Sequence, residues 1–204
     1  MMYMQETKPL YGLVLSGGQS SRMGQDKSLI SYHGQPQRSH LYQLLQGVCI
    51  QVFLSVRAGQ EQEIPSELAV IKDELEVRGP LNGILSAMQQ HPVAAWLVIA
   101  CDMPLVAFET LQTLVAARDD RRTATAYALQ GSDLPEPLLA IWEPSSYAPA
   151  LAFVQTDKTC PRKFLLNADT KLIHPAQDEE LYNANHPHEY AYILQKLSHG
   201  TTVQ

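Results

Sequence analysis

The run 93–100, Val-Ala-Ala-Trp-Leu-Val-Ile-Ala, closes on Cys101-Asp102-Met103-Pro104, and no other stretch limits the fold so tightly. A strand with no polar alternation is covered on both faces, which puts it inside a sheet flanked by helices. The same kind of run recurs earlier in the chain. Leu13-Val14-Leu15 is a short apolar strand ending in small residues, 49–56 is a second, and 68–71 is a third that ends at Lys72-Asp73. Between these runs the apolar residues fall at helical spacing. Leu41, Leu44, Leu45 and Val48 follow a turn at His33-Gly34-Gln35-Pro36, and Leu81, Ile84, Leu85 and Met88 follow Gly79-Pro80. Pro80 suits a first helical turn, where its missing N–H is harmless. Leu111, Leu114, Val115 and Arg118 mark a third helix across 106–118.

Strands alternating with helices predict an α/β fold, a three-layer αβα arrangement around a mainly parallel, Rossmann-like sheet. The second half is less regular. Residues 123–129 and 138–142 read as strands around a turn near 131–137, which adds an antiparallel strand. Tyr147, Leu151 and Val154 suggest a helix, 162–166 a short second one, 171–174 a last strand and 187–197 a closing helix. The 204 residues fit one domain, 1–204, without repeat or linker, and 1–8 and 199–204 read as flexible tails.

A formal net charge of -6 argues against nonspecific nucleic-acid binding, which depends on neutralising many phosphates. It leaves room for a nucleotide site with locally supplied cations. Cys49, Cys101 and Cys160 are an odd, widely spaced set, which suits a reducing compartment better than a disulfide framework. No signal-type apolar core opens the chain, and no run approaches a membrane span, so no membrane partner and a cytoplasmic setting are expected.

The chemistry concentrates at 13–27. After the strand, Gly17 and Gly18 let the backbone turn and bring its N–H groups close to a ligand. Ser20, Ser21, Arg22 and Lys27 follow, and the whole reads as a phosphate cradle. It is not a Walker A loop, because Gln25 and Asp26 separate Gly24 from Lys27. Nor is it the dinucleotide fingerprint, because Gly17 and Gly18 are adjacent, which disfavours a nicotinamide-dependent oxidoreductase. In open α/β sheets ligands gather beyond the carboxyl ends of the strands. The Gly17-Gly18 turn, Asp73 and Asp102 occupy such ends. A carboxylate like Asp102 either holds Mg²⁺, a hard cation that bridges to phosphates, or caps the following helix. Asp73 is either a ligand group or a solvated turn residue, and Asn183 and Asn185 are either site residues or caps of the closing helix. His174, His186 and His188 lack the spacing of a zinc set, and Cys101 at a strand end reads as packing.

The stretch 13–27 resembles the signature of nucleotidyltransferases that join a nucleoside monophosphate to a phosphorylated acceptor. That signature is Leu-Ala-Gly-Gly, a polar spacer, Arg-Met-Gly, two residues and Lys, and only Ser16 departs from it. Further motifs lie in matching order: Asp73 followed by Gly79-Pro80-Leu81-x-Gly83, Cys101-Asp102-Met103-Pro104, Pro137-Leu138 and Asn183-x-Asn185-x-Pro187. Together they resemble the molybdenum cofactor guanylyltransferases, which attach GMP to molybdopterin.

The resemblance implies the nucleotidyltransferase type of Rossmann-like fold. It implies that Leu15, Ser16, Gly17 and Gly18 lie along the nucleotide, and that Lys27 contacts its phosphates, with Arg22 adding charge. It further implies that Asp73 binds the guanosine part, that Asp102 binds the nucleotide and holds Mg²⁺, and that Asn183 and Asn185 face the pterin side. Ser55 stands where members often carry a nucleotide-contacting Asn, and His186 and His188 replace the usual Thr and Glu. Arg22, Lys27 and Asp102 are thus the expected catalytic set, with GTP and molybdopterin as substrates. Proteins that deliver molybdopterin or receive the product are admitted as partners, and no oligomeric state is implied. The rivals are a sister enzyme that uses CTP, for the cytosine cofactor or a sugar- or alcohol-phosphate, and a nucleotide-binding protein without catalysis.

Overall fold

A computed structural model describes residues 8–17, 26–186 and 188–200, with backbone alone at 199 and 200. Gly18, Ser20, Ser21, Arg22, Gly24 and Pro187 lie outside the described residues, as do the outer ends of both expected tails. Seven strands form one sheet in the order β3-β2-β1-β4-β6-β5-β7. They are β1 (Leu10–Leu15), β2 (Gln51–Val56), β3 (Val70–Lys72), β4 (Ala95–Ala100), β5 (Ala124–Tyr127), β6 (Glu136–Trp142) and β7 (Thr170–Ile173). β1 pairs in parallel with β2 and β4, β2 with β3, and β5 with β7. Only β6 runs against its neighbours β4 and β5, which is the expected antiparallel strand of the second half.

Among the described residues there are six helices: α1 (Gln37–Gln46), α2 (Leu81–Gln90), α3 (Phe108–Ala116), α4 (Tyr147–Val154) and α5 (Pro161–Leu166), and α6 (Glu189–Gly200), whose Ile193 packs in a separate cluster with Ile30, Tyr32 and Ala184. Alternate residues of each strand feed opposite cores. On one side Val14, Leu54, Leu97 and Ile99 pack with Leu41 and Leu45 of α1 and Leu111 and Leu114 of α3. On the other, Leu13, Trp96, Val98 and Trp142 pack with Leu81, Ile84, Leu85 and Met88 of α2, Ala150 and Val154 of α4, and Phe164 of α5. All six residues of β4 are buried, so the feature that sets the fold class is covered on both faces.

The differences from the sequence-based expectation are at element ends. Val93 and Ile50, apolar residues that read as strand, are exposed in turns before β4 and β2. β1 starts at Leu10, three residues before its apolar core, because Leu10 and Tyr11 register with Ala95 and Trp96 of β4. α3 stops at Ala116, and Arg118 leaves its stripe to bind Glu143. The backbone of α6 continues to Gly200, past the point at which fraying was expected.

Candidate active site

Strand register brings the site together. Leu15 pairs with Ser55 of β2 and with Ala100 of β4, and Ser55 pairs with Ile71 of β3. The four residues form one row across the sheet, so the residues just beyond them open into one space. Gly17 lies two beyond Leu15, Arg57 two beyond Ser55, Asp73 two beyond Ile71 and Asp102 two beyond Ala100. This is also where strand order reverses, with β2 on one side of β1 and β4 on the other, the usual place for a ligand in such sheets. A cleft of about 690 Å³ occupies the position, lined among others by Ser16, Gly17, Lys27, Asp73, Asp102 and Gly83.

On the β4 side, Asp26 lies at the start of a tight turn, Lys27–Leu29, with Asp26 Oδ1 accepting the Ser28 N–H at 2.9 Å. The turn aims Lys27 inward. Its Nζ donates to Asn185 Oδ1 at 2.8 Å and lies 3.7 Å from Asp102 Oδ2. Asp102 is held from behind, because its carbonyl accepts the Ala184 N–H at 2.7 Å. The helix-cap alternative for Asp102 does not hold: α3 begins at Phe108 after Ala107, and its first turn is closed by Thr110 Oγ1. Burial pushes the Asp102 carboxyl above the usual carboxylate range, and the Lys27 ammonium opposes the rise.

Asp102 Oδ1 is buried without a hydrogen-bond partner among the described residues. An orphaned carboxylate oxygen beside a cleft fits a hard, oxygen-seeking cation. No group of three or more His, Cys, Asp or Glu residues forms a metal cluster among the described residues.

On the β3 side, Ser55 Oγ donates to Asp73 Oδ1 at 2.6 Å. The Ser55 carbonyl accepts both the Ser16 N–H at 3.2 Å and the Ser16 hydroxyl at 2.8 Å. Ser55 therefore both lines the cleft and holds Asp73 in place. Burial raises the Asp73 carboxyl, while the Ser55 bond and the Arg57 charge lower it. Gly83 of α2 makes the arrangement fit: a Cβ there would stand 2.2 Å from Ser55 Oγ and 3.1 Å from Asp73 Oδ1. α2 also ties down the segment after Asp73. Asn82 bonds both the N–H and the carbonyl of Leu75, and Ser86 Oγ accepts the Glu74 N–H.

Leu15, Ser16, Gly17, Lys27, Ser55, Asp73 and Asp102 thus share one cleft, and Asn185 joins it through Lys27. Asn183 Nδ2 donates to the Leu181 carbonyl. Neither asparagine acts as a side-chain cap of α6 among the described residues. Glu189 instead reaches back to the N–H groups of Asn185 and His186. Cys101 is buried, and burial pushes its thiol up, which leaves it a poor nucleophile. Arg22 and Gly18 lie outside the described residues. Sequence reasoning missed Arg57, Asn82 and Ser86. The strand-end rule applied to β2, as to β1, β3 and β4, finds Arg57.

Residues 12–172 match the MobA-like NTP transferase domain. The chain is 40% identical over 186 residues to a molybdenum cofactor biosynthesis bifunctional protein of Synechocystis sp.. That match covers 91% of this chain and 54% of the relative, so the chain spans about half of that protein. It is 34% identical over 183 residues to a molybdenum cofactor guanylyltransferase of Pseudomonas paraeruginosa, covering 86% of this chain and 89% of that one. In fold it is similar to the molybdopterin-guanine dinucleotide biosynthesis protein A of Archaeoglobus fulgidus, with a TM-score of 0.76 at 21% identity, over 93% of this chain and 99% of the other. With the family model spanning most of the chain and a guanylyltransferase relative 34% identical over most of both chains, the chain belongs to the MobA-like NTP transferase domain family, among the molybdenum cofactor guanylyltransferases.

Proposed function

We propose that the protein transfers GMP from GTP to the phosphate of molybdopterin, giving the guanine dinucleotide cofactor and pyrophosphate. The observation that carries this reading is the convergence of Lys27 and Asp102 on one side of a single cleft and Asp73 on the other, with the Gly17 backbone beside Asp73. A cation-bearing side suits a triphosphate, and a carboxylate at the far side suits a base rich in donors.

The acceptor phosphate oxygen attacks the α-phosphorus in line. A new P–O bond forms as the bond from the α-phosphorus to the bridging oxygen breaks, and that oxygen leaves with the pyrophosphate. An anionic acceptor needs no covalent enzyme intermediate, so the chain's task is positioning and charge stabilisation. Lys27, held between Asn185 and Asp102, faces the charge that builds on the phosphoryl oxygens. Arg22 and the amides of the Gly17-Gly18 turn add to it by the family pattern. Asp73 binds the guanosine end and Asn183 and Asn185 the pterin side. Asp102 would hold Mg²⁺, which supplies further positive charge to the phosphates when bound.

The three cysteines are free, which is consistent with a reducing, cytoplasmic setting. No helix among the described residues is long and apolar enough to cross a membrane. The test is transfer from α-labelled GTP to molybdopterin, expected to give labelled dinucleotide with matching pyrophosphate release. Equal or better transfer from CTP would overturn the guanine assignment, and no transfer from either would overturn the transferase reading. Lys27→Ala should keep its melting temperature and lose on the order of 10²–10³ in rate, the usual effect of removing one preorganised contact.

A further inference from the structure

Between the ends of β1, β2 and β3 lies a notch with Gly17 as its floor. A Cβ on Gly17 would stand 3.3 Å from Asp73 Oδ2 and 3.4 Å from Arg57 Cγ, so the acid and the arginine flank the same bare backbone. The two are close but form no ion pair among the described residues. Asp73 is turned by Ser55, whose hydroxyl holds Oδ1 and leaves Oδ2 beside the notch. Arg57 is anchored through its backbone N–H, which donates to Gln60 Oε1 at 3.1 Å. Its Nε is buried with no hydrogen-bond partner among the described residues. A buried donor left unsatisfied is costly, and Arg57 lines the cleft, where a ligand acceptor can satisfy its guanidinium.

A donor fork next to a carboxylate oxygen complements one nucleobase best. Guanine presents the acceptors O6 and N7 beside the donors N1–H and N2–H₂, and arginine binds the first pair bidentately. Cytosine and adenine put an amino donor where guanine has O6. Uracil offers a single donor between two acceptors. Phosphate is the other ligand an arginine favours, but Lys27 and Asp102 mark the phosphate side near β4, across β1 from Arg57.

We infer that Arg57 is a specificity-determining residue that binds the O6/N7 edge of guanine while Asp73 Oδ2 accepts from its N1–H and N2–H₂ face. Ser55 is then a positioning residue that acts on the base through Asp73. The inference rests on the guanylyl-transfer reading and adds to it the side chain that rejects other bases.

The test is equilibrium binding of GTP and of CTP, each with Mg²⁺, to the wild type, Arg57→Met and Arg57→Lys. The wild type should prefer GTP. Arg57→Met should weaken GTP by on the order of 10–100-fold, the worth of one bidentate base contact, and leave CTP unchanged. Arg57→Lys should recover little of the preference, because a point charge does not replace the planar fork. Equal weakening of GTP and CTP would assign Arg57 to the phosphates and overturn the inference, as would full GTP preference in either variant. A wild type that does not prefer GTP would overturn the parent reading as well, whatever the variants do.

Discussion

At the scale of single residues, Gly83 is the most exacting position in the cleft. Its missing side chain lets Ser55 Oγ reach Asp73, and a methyl group would stand 2.2 Å from that oxygen. Gly83→Ala should therefore drive the hydroxyl off Asp73 and turn the carboxylate away from the notch. We expect a loss of roughly 1–3 kcal/mol in stability from overpacking, read by chemical denaturation. GTP affinity should fall further than the affinity of the phosphate portion alone, measured with inorganic triphosphate. Unchanged GTP affinity would show that Asp73 does not depend on Ser55. Residues such as Asp102 and Asp73 are legible in the sequence because a polar group at the end of an apolar run stands out locally. Asn185 is legible only through the family pattern, since its bond to Lys27 spans 158 positions. Arg57 escapes notice because nothing in its neighbourhood distinguishes it until β2 is set beside β1 and β3.

At the scale of elements, the N-terminal part of α2 serves the site as well as the core. Leu81, Ile84, Leu85 and Met88 bury one stripe, and this periodicity makes the helix legible in the sequence alone. The polar residues Asn82 and Ser86 look like ordinary solvent-facing positions in sequence. In the fold they hold the segment that follows Asp73, with the Asn82 amide bonding Leu75 on both sides. Asn82→Ala should leave α2 in place and loosen residues 74–77. Hydrogen exchange at Leu75 should speed up, and stability should fall by about 1–2 kcal/mol for the lost side-chain bonds. Retained protection at Leu75 would mean that other contacts fix the segment. Two of the strand starts that sequence misjudges share one cause. Val93 and Ile50 are apolar but sit in turns, and an apolar residue at a strand mouth cannot be told from the strand itself by composition.

At the scale of the whole molecule, a buried ion pair ties distant parts of the chain together. Arg118, just past α3, makes two bonds of 2.7 and 3.0 Å to Glu143, a fully buried residue just past β6, and a third to the carbonyl of Lys8 before β1. Removing one charge from such a pair leaves the other uncompensated in the interior. Glu143→Gln should cost roughly 3–5 kcal/mol, read by denaturant unfolding. The pair Arg118→Met with Glu143→Leu should recover much of that loss, and a silent Glu143→Gln would contradict the account. The layered architecture is readable because fully apolar strands require cover on both faces, and the reversed strand because a short turn joins it to the strand before it. The pair is not, since neither residue carries a local signal of its partner. The cleft depends on this frame, which brings the ends of β1 and β4 together so that Lys27 and Asp102 face one space. The most direct test of that claim is calorimetric GTP binding with and without Mg²⁺, compared between the wild type and Asp102→Ala. Mg²⁺ should strengthen GTP binding markedly in the wild type and add nothing in the variant; an equal gain in both would mean that Asp102 does not hold the cation.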